Sequence, residues 1–172
     1  MKVATDPTIR RMTATDLEAV AELDRRSFSA PWSLDSYQYE LLENAYAHIW
    51  VAEWGSEVVG VLVGWLILDE LHIGTIATHP DYRKQGIGSR LLEAGLRESI
   101  ALGATLSHLE VRKSNLPAQN LYRRFRFDIV GERKKYYPDN HEDAILMSVY
   151  HLGREYLHWL DGGRQGPFVP KT

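Results

Sequence analysis

Helical spacing and strand alternation take turns along the chain. Thr8 to Met12 reads as a short strand, and Thr13-Ala14-Thr15-Asp16 reads as the cap of a helix whose apolar positions Leu17, Val20, Ala21 and Leu23 follow helical spacing. That helix is expected to end near Phe28. Pro31 and Trp32 break the chain, and Ser33 followed by Ser36 starts a weaker helix through Tyr37, Leu41 and Leu42. Runs rich in β-branched and aromatic residues, Ala47 to Trp54 and Val58 to Leu68, read as a hairpin across Gly55-Ser56-Glu57, with a third strand from Leu71 to Thr78. The clearest helix follows: from Gly86 to about Leu102, residues Ile87, Leu91, Leu92, Leu96 and Ile100 keep to one face, and Gly103 is a stop signal. Leu106 to Val111 is a strand, and Ser114-Asn115 with Pro117 begins a helix to about Phe125. Phe127 to Tyr137 and Asp143 to Tyr150 close the pattern as an antiparallel pair around Pro138-Asp139-Asn140. The order β-α-α-β-β-β-α-β-α-β-β predicts a mixed α/β domain with a mostly antiparallel sheet. Tyr150 to Leu160 is a short amphipathic piece, and the chain from Gly162 reads as a flexible tail dispensable for chemistry.

Bulk properties narrow the classes. A chain of 172 residues, 44% hydrophobic and 25% charged, has the size and composition of one globular domain. Its longest apolar stretch, Val58 to Leu68, is too short to cross a bilayer, and the first residues lack the apolar core of a secretory signal. With no cysteine there is no disulfide framework and no cysteine-ligated zinc, so a cytoplasmic location with no membrane partner is the default expectation. A net charge of −3 gives no general reason to bind nucleic acid. Basic clusters are local, at Arg83/Lys84, Arg123/Arg124/Arg126 and Arg133/Lys134/Lys135.

The most telling cluster is Arg83-Lys84-Gln85-Gly86-Ile87-Gly88, set between a predicted strand and the start of the clearest helix. Unpaired N–H groups in a first helical turn, glycines that allow close approach and two flanking cations suit a pyrophosphate. The plainer reading is a strand-to-helix turn with ordinary glycines. The spacing fits neither a Walker loop nor a Rossmann fingerprint, since Leu91 stands three after Gly88.

The stretch from Ile76 to Leu92, including His79-Pro80-Asp81-Tyr82 and the glycine loop, resembles the acetyl-CoA signature of the GNAT superfamily, Arg/Gln-x-x-Gly-x-Gly/Ala. Leu109-Glu110-Val111-Arg112-Lys113-Ser114-Asn115 and Ala118 to Phe127 resemble the second half of that domain. Within it, Pro31-Trp32-Ser33, Leu68-Asp69-Glu70, Tyr136-Tyr137-Pro138 and Glu142 to Met147 are most similar to the bacterial ribosomal-protein-alanine N-acetyltransferases. The likeness covers about residues 8 to 150, leaving 1–7 as a flexible N-terminus and 151–172 as a C-terminal extension. One departure is Arg126-Phe127, where the family has Gly-Phe. The resemblance implies the GNAT fold, with helices on both faces of the sheet and a splayed central strand pair, Leu71–Thr78 and Leu106–Val111. It also implies acetyl-CoA as cosubstrate. The main chain of Ile76, Ala77 and Thr78 would pair with the pantetheine arm, Arg83, Lys84, Gln85, Gly86, Ile87, Gly88 and Ser89 would hold the pyrophosphate, and Asn115 would add a contact.

Glu110 is then the general base and Tyr122 the general acid, because the attacking amine sheds protons and the departing thiolate gains one. Each has a plainer reading. Glu110 alternates with His108 and Arg112 on its strand, where it is equally a solvated carboxylate paired to Arg112, and Tyr122 is half-buried packing with a satisfied hydroxyl. Trp32, Tyr136 and Tyr137 are candidates to line a peptide groove, Trp32 being as readily core. The seven histidines show no paired ligand spacing, so no metal is expected. The favoured acceptor is a protein N-terminal α-amine, with the N-terminal alanine of a small-subunit ribosomal protein implied by the resemblance, and a monomer or homodimer is expected. A small amine as acceptor, or a non-catalytic acyl-CoA-binding module, are the competing readings.

Overall fold

The computed structural model describes residues 6–165, so most of the expected flexible N-terminus and the end of the expected flexible tail lie outside the described residues. Contacts divide the chain into two compact units. The first runs to Trp65 and resumes over Gly74–Leu96, and the second comprises Leu66–Ile73 and the chain from Arg97 on.

In the first unit, β1 (Thr8–Arg11) pairs antiparallel with β2 (Ala47–Trp54), which pairs antiparallel with β3 (Glu57–Ile67). The strand order is β1-β2-β3 and then β4 (Glu70–Thr78), whose second half, Gly74–Thr78, belongs to this unit. Side-chain alternation sends Ile49, Val51, Val61 and Val63 to a core shared with Val20, Leu23 and Tyr37 from α1 (Leu17–Ser27) and α2 (Leu34–Leu42). The intervening positions meet α3 (Ile87–Ala101). A Cβ at Gly60 would lie 2.8 Å from Ile87, and one at Gly95 would lie 2.5 Å from Leu62. Helices therefore cover both faces of these strands. The caps read from the sequence are present: Asp16 Oδ2 accepts the Thr13 N–H at 2.8 Å, and Ser33 Oγ accepts that of Ser36 at 3.1 Å.

In the second unit, the first half of β4 pairs in parallel with β5 (Leu106–Arg112), from Glu70↔Leu106 to Ile73↔Leu109. Register ends there, although β4 continues to Thr78 and β5 to Arg112. β5 pairs antiparallel with β7 (Ala144–Val149), and β7 with β6 (Asp128–Arg133), in the order β4-β5-β7-β6. The strand expected to reach Tyr137 stops at Arg133. Lys135 takes φ 50° and donates its N–H to Asp143 Oδ1 at 2.9 Å, which turns the chain early. α4 (Leu116–Arg123) is capped by Asn115 and ends in a turn with Arg126 at φ 64°. That left-handed conformation costs an arginine about 1 kcal/mol. The amphipathic piece is α5 (Arg154–Asp161), with Tyr156, Trp159 and Leu160 buried.

Candidate active site

The glycine loop lies entirely in the first unit. β4 ends at Thr78, and His79 stops it: its N–H donates to Val59 O at 2.8 Å, and its Nδ1 accepts the Asp81 N–H at 3.3 Å, capping a 3-10 turn over Pro80–Tyr82. Lys84 at φ 63° and Gly86 at φ 80° then carry the chain into α3. Ile87, 1% exposed, pins the first turn of that helix, while Arg83, Lys84, Gln85 and Gly86 stay exposed and Gly88 and Ser89 are half-buried. Arg83 reaches back to donate from Nε to Thr78 O at 3.4 Å. Nothing lies within 4 Å of where a Gly86 Cβ would stand, so the open approach there is to main chain and cations. This chemistry fits an anion of pyrophosphate type. The next cation, Arg90, is committed elsewhere, donating to Asp6 Oδ1 at 2.6 Å and to Pro7 O. Along β4, Ala77 is buried in the core and Ile76 and Thr78 are half-buried.

Glu110, Tyr122, Tyr136 and Tyr137 belong to the second unit. On β5, Ser107, Leu109 and Val111 face inward, which leaves His108, Glu110 and Arg112 on the other face. Glu110 is not paired to Arg112. Its Oε2 lies 2.7 Å from His72 Nε2, its Oε1 lies 3.5 Å from Arg133 Nη1, and its side chain is only 13% exposed. Arg112 turns instead to Asp139 at 2.8 Å, Asn140 Oδ1 at 3.1 Å and Glu142 at 3.4 Å, with its guanidinium 3.9 Å over the Tyr137 ring. The physical reason is register: β4 sets His72 opposite His108, diagonal to Glu110, and the β6–β7 hairpin delivers three better-placed acceptors to Arg112.

Tyr122 is fully rather than half buried, its ring 5.8 Å from Phe127. Burial first, then the neighbouring Tyr137, pushes its hydroxyl well above the ordinary tyrosine value. It therefore stays protonated at neutral pH, the state a proton donor needs. Tyr137, raised to about 12 chiefly by burial and opposed by Arg112, meets Tyr136 edge-on at 5.2 Å. Arg133 lies 5.5 Å over the Tyr136 ring. Asn115 Oδ1 is engaged as the helix cap on the Ala118 N–H at 3.2 Å.

Trp32, in the first unit, stacks on Trp65 at 6.0 Å and tilts against Tyr37 at 5.3 Å, while its backbone N–H donates to the buried Asp24 carboxylate at 2.7 Å. Its ring packs against the core, the plainer of the two readings. The sequence does not single out His72 as the partner of Glu110, because a lone histidine on a strand carries no signal until its cross-strand neighbour is known. Among the described residues, no group of three or more His, Asp or Glu is placed to hold a metal, and no helix is long and apolar enough to cross a membrane.

Comparison with known proteins bears on this arrangement. The acetyltransferase (GNAT) family profile matches residues 17–127. A Bacillus subtilis strain 168 protein, provisionally named a ribosomal protein bS18-alanine N-acetyltransferase, is 41% identical over 145 residues, covering 84% of this chain and 96% of its own. The ribosomal protein bS18-alanine N-acetyltransferase of Escherichia coli K12 is 34% identical over 144 residues, covering 83% and 96%. The crystal structure of the ribosomal-protein-S18-alanine N-acetyltransferase from Escherichia coli superposes with a TM-score of 0.78 at 32% identity, over 84% of this chain and 94% of that one.

Proposed function

The chain belongs to the GNAT acetyltransferase family and is an N-acetyltransferase, and we propose that it transfers the acetyl group of acetyl-CoA to the N-terminal alanine of a small-subunit ribosomal protein. The observation that carries this reading is the identity, over nearly their full length, to relatives named for that acceptor. In this reading the Arg83–Ser89 loop holds the cofactor pyrophosphate, the main chain of Ile76, Ala77 and Thr78 runs beside the pantetheine, and Asn115 adds a contact. Glu110 accepts a proton from the acceptor ammonium. The freed nitrogen attacks the thioester carbonyl, the C–N bond forms as the C–S bond breaks, the Tyr122 hydroxyl protonates the thiolate, and the second proton shed by the nitrogen restores the Tyr122 phenol. The chain has no cysteine to carry the acetyl group, which favours direct transfer.

The base available suits an α-amine. Freeing an α-amine at pH 7 costs about 1 kcal/mol from a reference value near 7.7–8.0, against about 4.6 kcal/mol for a lysine near 10.4. One carboxylate meets the smaller demand. Tyr136 and Tyr137, held on the β6–β7 hairpin, supply aromatic surface for the first peptide residues, and Trp32 serves through its packing.

Two short peptides beginning with alanine test the acceptor, one with a free N-terminus and one blocked there but carrying an internal lysine. The free peptide is expected to be acetylated faster. Faster reaction of the blocked peptide overturns the α-amine assignment, and no reaction with either makes a small amine the acceptor.

A further inference from the structure

We infer that His72 and Glu110 work as one proton-accepting pair, in which His72 passes the protons that Glu110 takes from the acceptor amine on to solvent. The inference rests on Glu110 being the general base. His72 Nε2 stands 2.7 Å from Glu110 Oε2, and the two side chains differ in access, 32% exposed for the histidine and 13% for the glutamate. The imidazole is therefore the wetter member of the pair, and its partner is a mostly buried carboxylate.

The reaction needs such an exit. An ammonium that becomes an amide sheds two protons; the departing thiolate takes one through Tyr122, and the other must leave the site. A carboxylate that has accepted a proton is spent as a base until it passes that proton on. Imidazole serves this purpose because it binds a proton at one ring nitrogen and releases another from the second, returning to its starting composition. Across one turnover, ammonium and acetyl thioester become amide, thiol and one solvent proton.

The groups around the pair fit the assignment. His108 faces His72 with ring centroids 4.6 Å apart, and Glu70 lies 4.0 Å from His108. Arg133 lies 3.5 Å from Glu110, and Tyr137 is close enough to feel its charge. Burial, then His72, holds the His108 titration below the ordinary histidine value, so His108 stays neutral at pH 7 and does not compete for the proton. An inert strand-to-strand ion pair would show the same distance, so the test must read proton transfer.

That test compares wild type, His72→Gln and His72→Ala for kcat as a function of pH with the alanine peptide, alongside calorimetric acetyl-CoA binding. His72→Gln keeps a hydrogen-bond donor for Glu110 and cannot titrate. Loss of the relay is expected to lower its kcat by about tenfold to a hundredfold and to change the acid limb of the pH profile, with cofactor affinity unchanged. Added imidazole is expected to restore part of the rate to His72→Ala. A His72→Gln enzyme with wild-type kcat and pH profile overturns the inference. If wild type itself ignores the peptide, the acceptor assignment has failed instead, and the same comparison is made with a polyamine.

Discussion

Gly86 and Lys84 both stand in the left-handed region, and only the glycine does so without steric cost. Valine at position 86 would strain the turn and place two methyl groups over main chain that is open to solvent. Gly86→Val is expected to weaken acetyl-CoA binding by at least about tenfold in calorimetry, with the fold intact by circular dichroism. Unchanged affinity would remove the loop from the cofactor site. For Glu110, the dependence on pH is the sharper reading. Glu110→Gln is expected to lower kcat/KM about a hundredfold near neutrality, a loss that shrinks as pH rises past the α-amine value near 8 and water supplies free amine. Tyr122→Phe should lower kcat with acetyl-CoA affinity unchanged. Since burial holds the Tyr122 proton far above neutrality, no basic limb in the wild-type profile should disappear with it.

The β6–β7 hairpin depends on one residue of a different strand. Arg112 on β5 holds Asp139, Asn140 and Glu142 together and covers the Tyr137 ring. Arg112→Ala removes the guanidinium that Asp139, Asn140 and Glu142 share and loosens the segment bearing Tyr136 and Tyr137. If Tyr136 and Tyr137 bind the acceptor as proposed, the expected result is a KM for the peptide raised about tenfold, with acetyl-CoA affinity unchanged. A second tie joins β1 to the start of α1. Asp16 accepts Arg10 at 2.8 and 2.9 Å and also caps through Thr13, and the Arg10 hydrogen bond is the main cause that holds its carboxyl down at about 2. A depressed folded value means stability that is present above the unfolded value near 3.9 and lost as pH falls toward 2. Acid titration of thermal stability should therefore fall less steeply between about pH 4 and pH 2 in Asp16→Asn than in wild type.

At the scale of the whole chain, the described segment beyond Tyr150, residues 151–165, is part of the packing of its unit. Leu152 donates its N–H to Thr105 O at 2.8 Å, and the buried Tyr156 hydroxyl donates to Phe125 O at 2.8 Å, satisfying a carbonyl at the end of α4. Trp159 lies 5.2 Å under the guanidinium of Arg126, the left-handed residue of that turn. The helix thus covers the turn that ends α4, and the relatives leave part of this chain unmatched. Tyr156→Phe should cost about 1 kcal/mol. Removing the chain after Tyr150 should cost about 3 kcal/mol or more, read as a lowered Tm, because it strips three buried side chains from α5 and re-exposes the end of α4. An unchanged Tm in the shortened chain would mean that the helix only rests on the surface.

Local chemistry explains what was legible in advance. Helical spacing from Ile87 to Ile100, the Thr13–Asp16 box, the Ser33 and Asn115 caps and the Gly103 stop all act within a few residues of chain, so their pattern stands in the sequence before any tertiary contact forms. The glycine loop was legible for the same reason, since a turn, two glycines and a helix start are neighbours in sequence. Distant pairing was not. Glu110 chose His72, 38 positions away, over Arg112 on its own strand, and Tyr122 and Tyr156 became buried through contacts made only when α4, β6 and α5 meet. Strand register and helix docking decide such partners, and both depend on the summed burial of many residues rather than on the identity of those nearby.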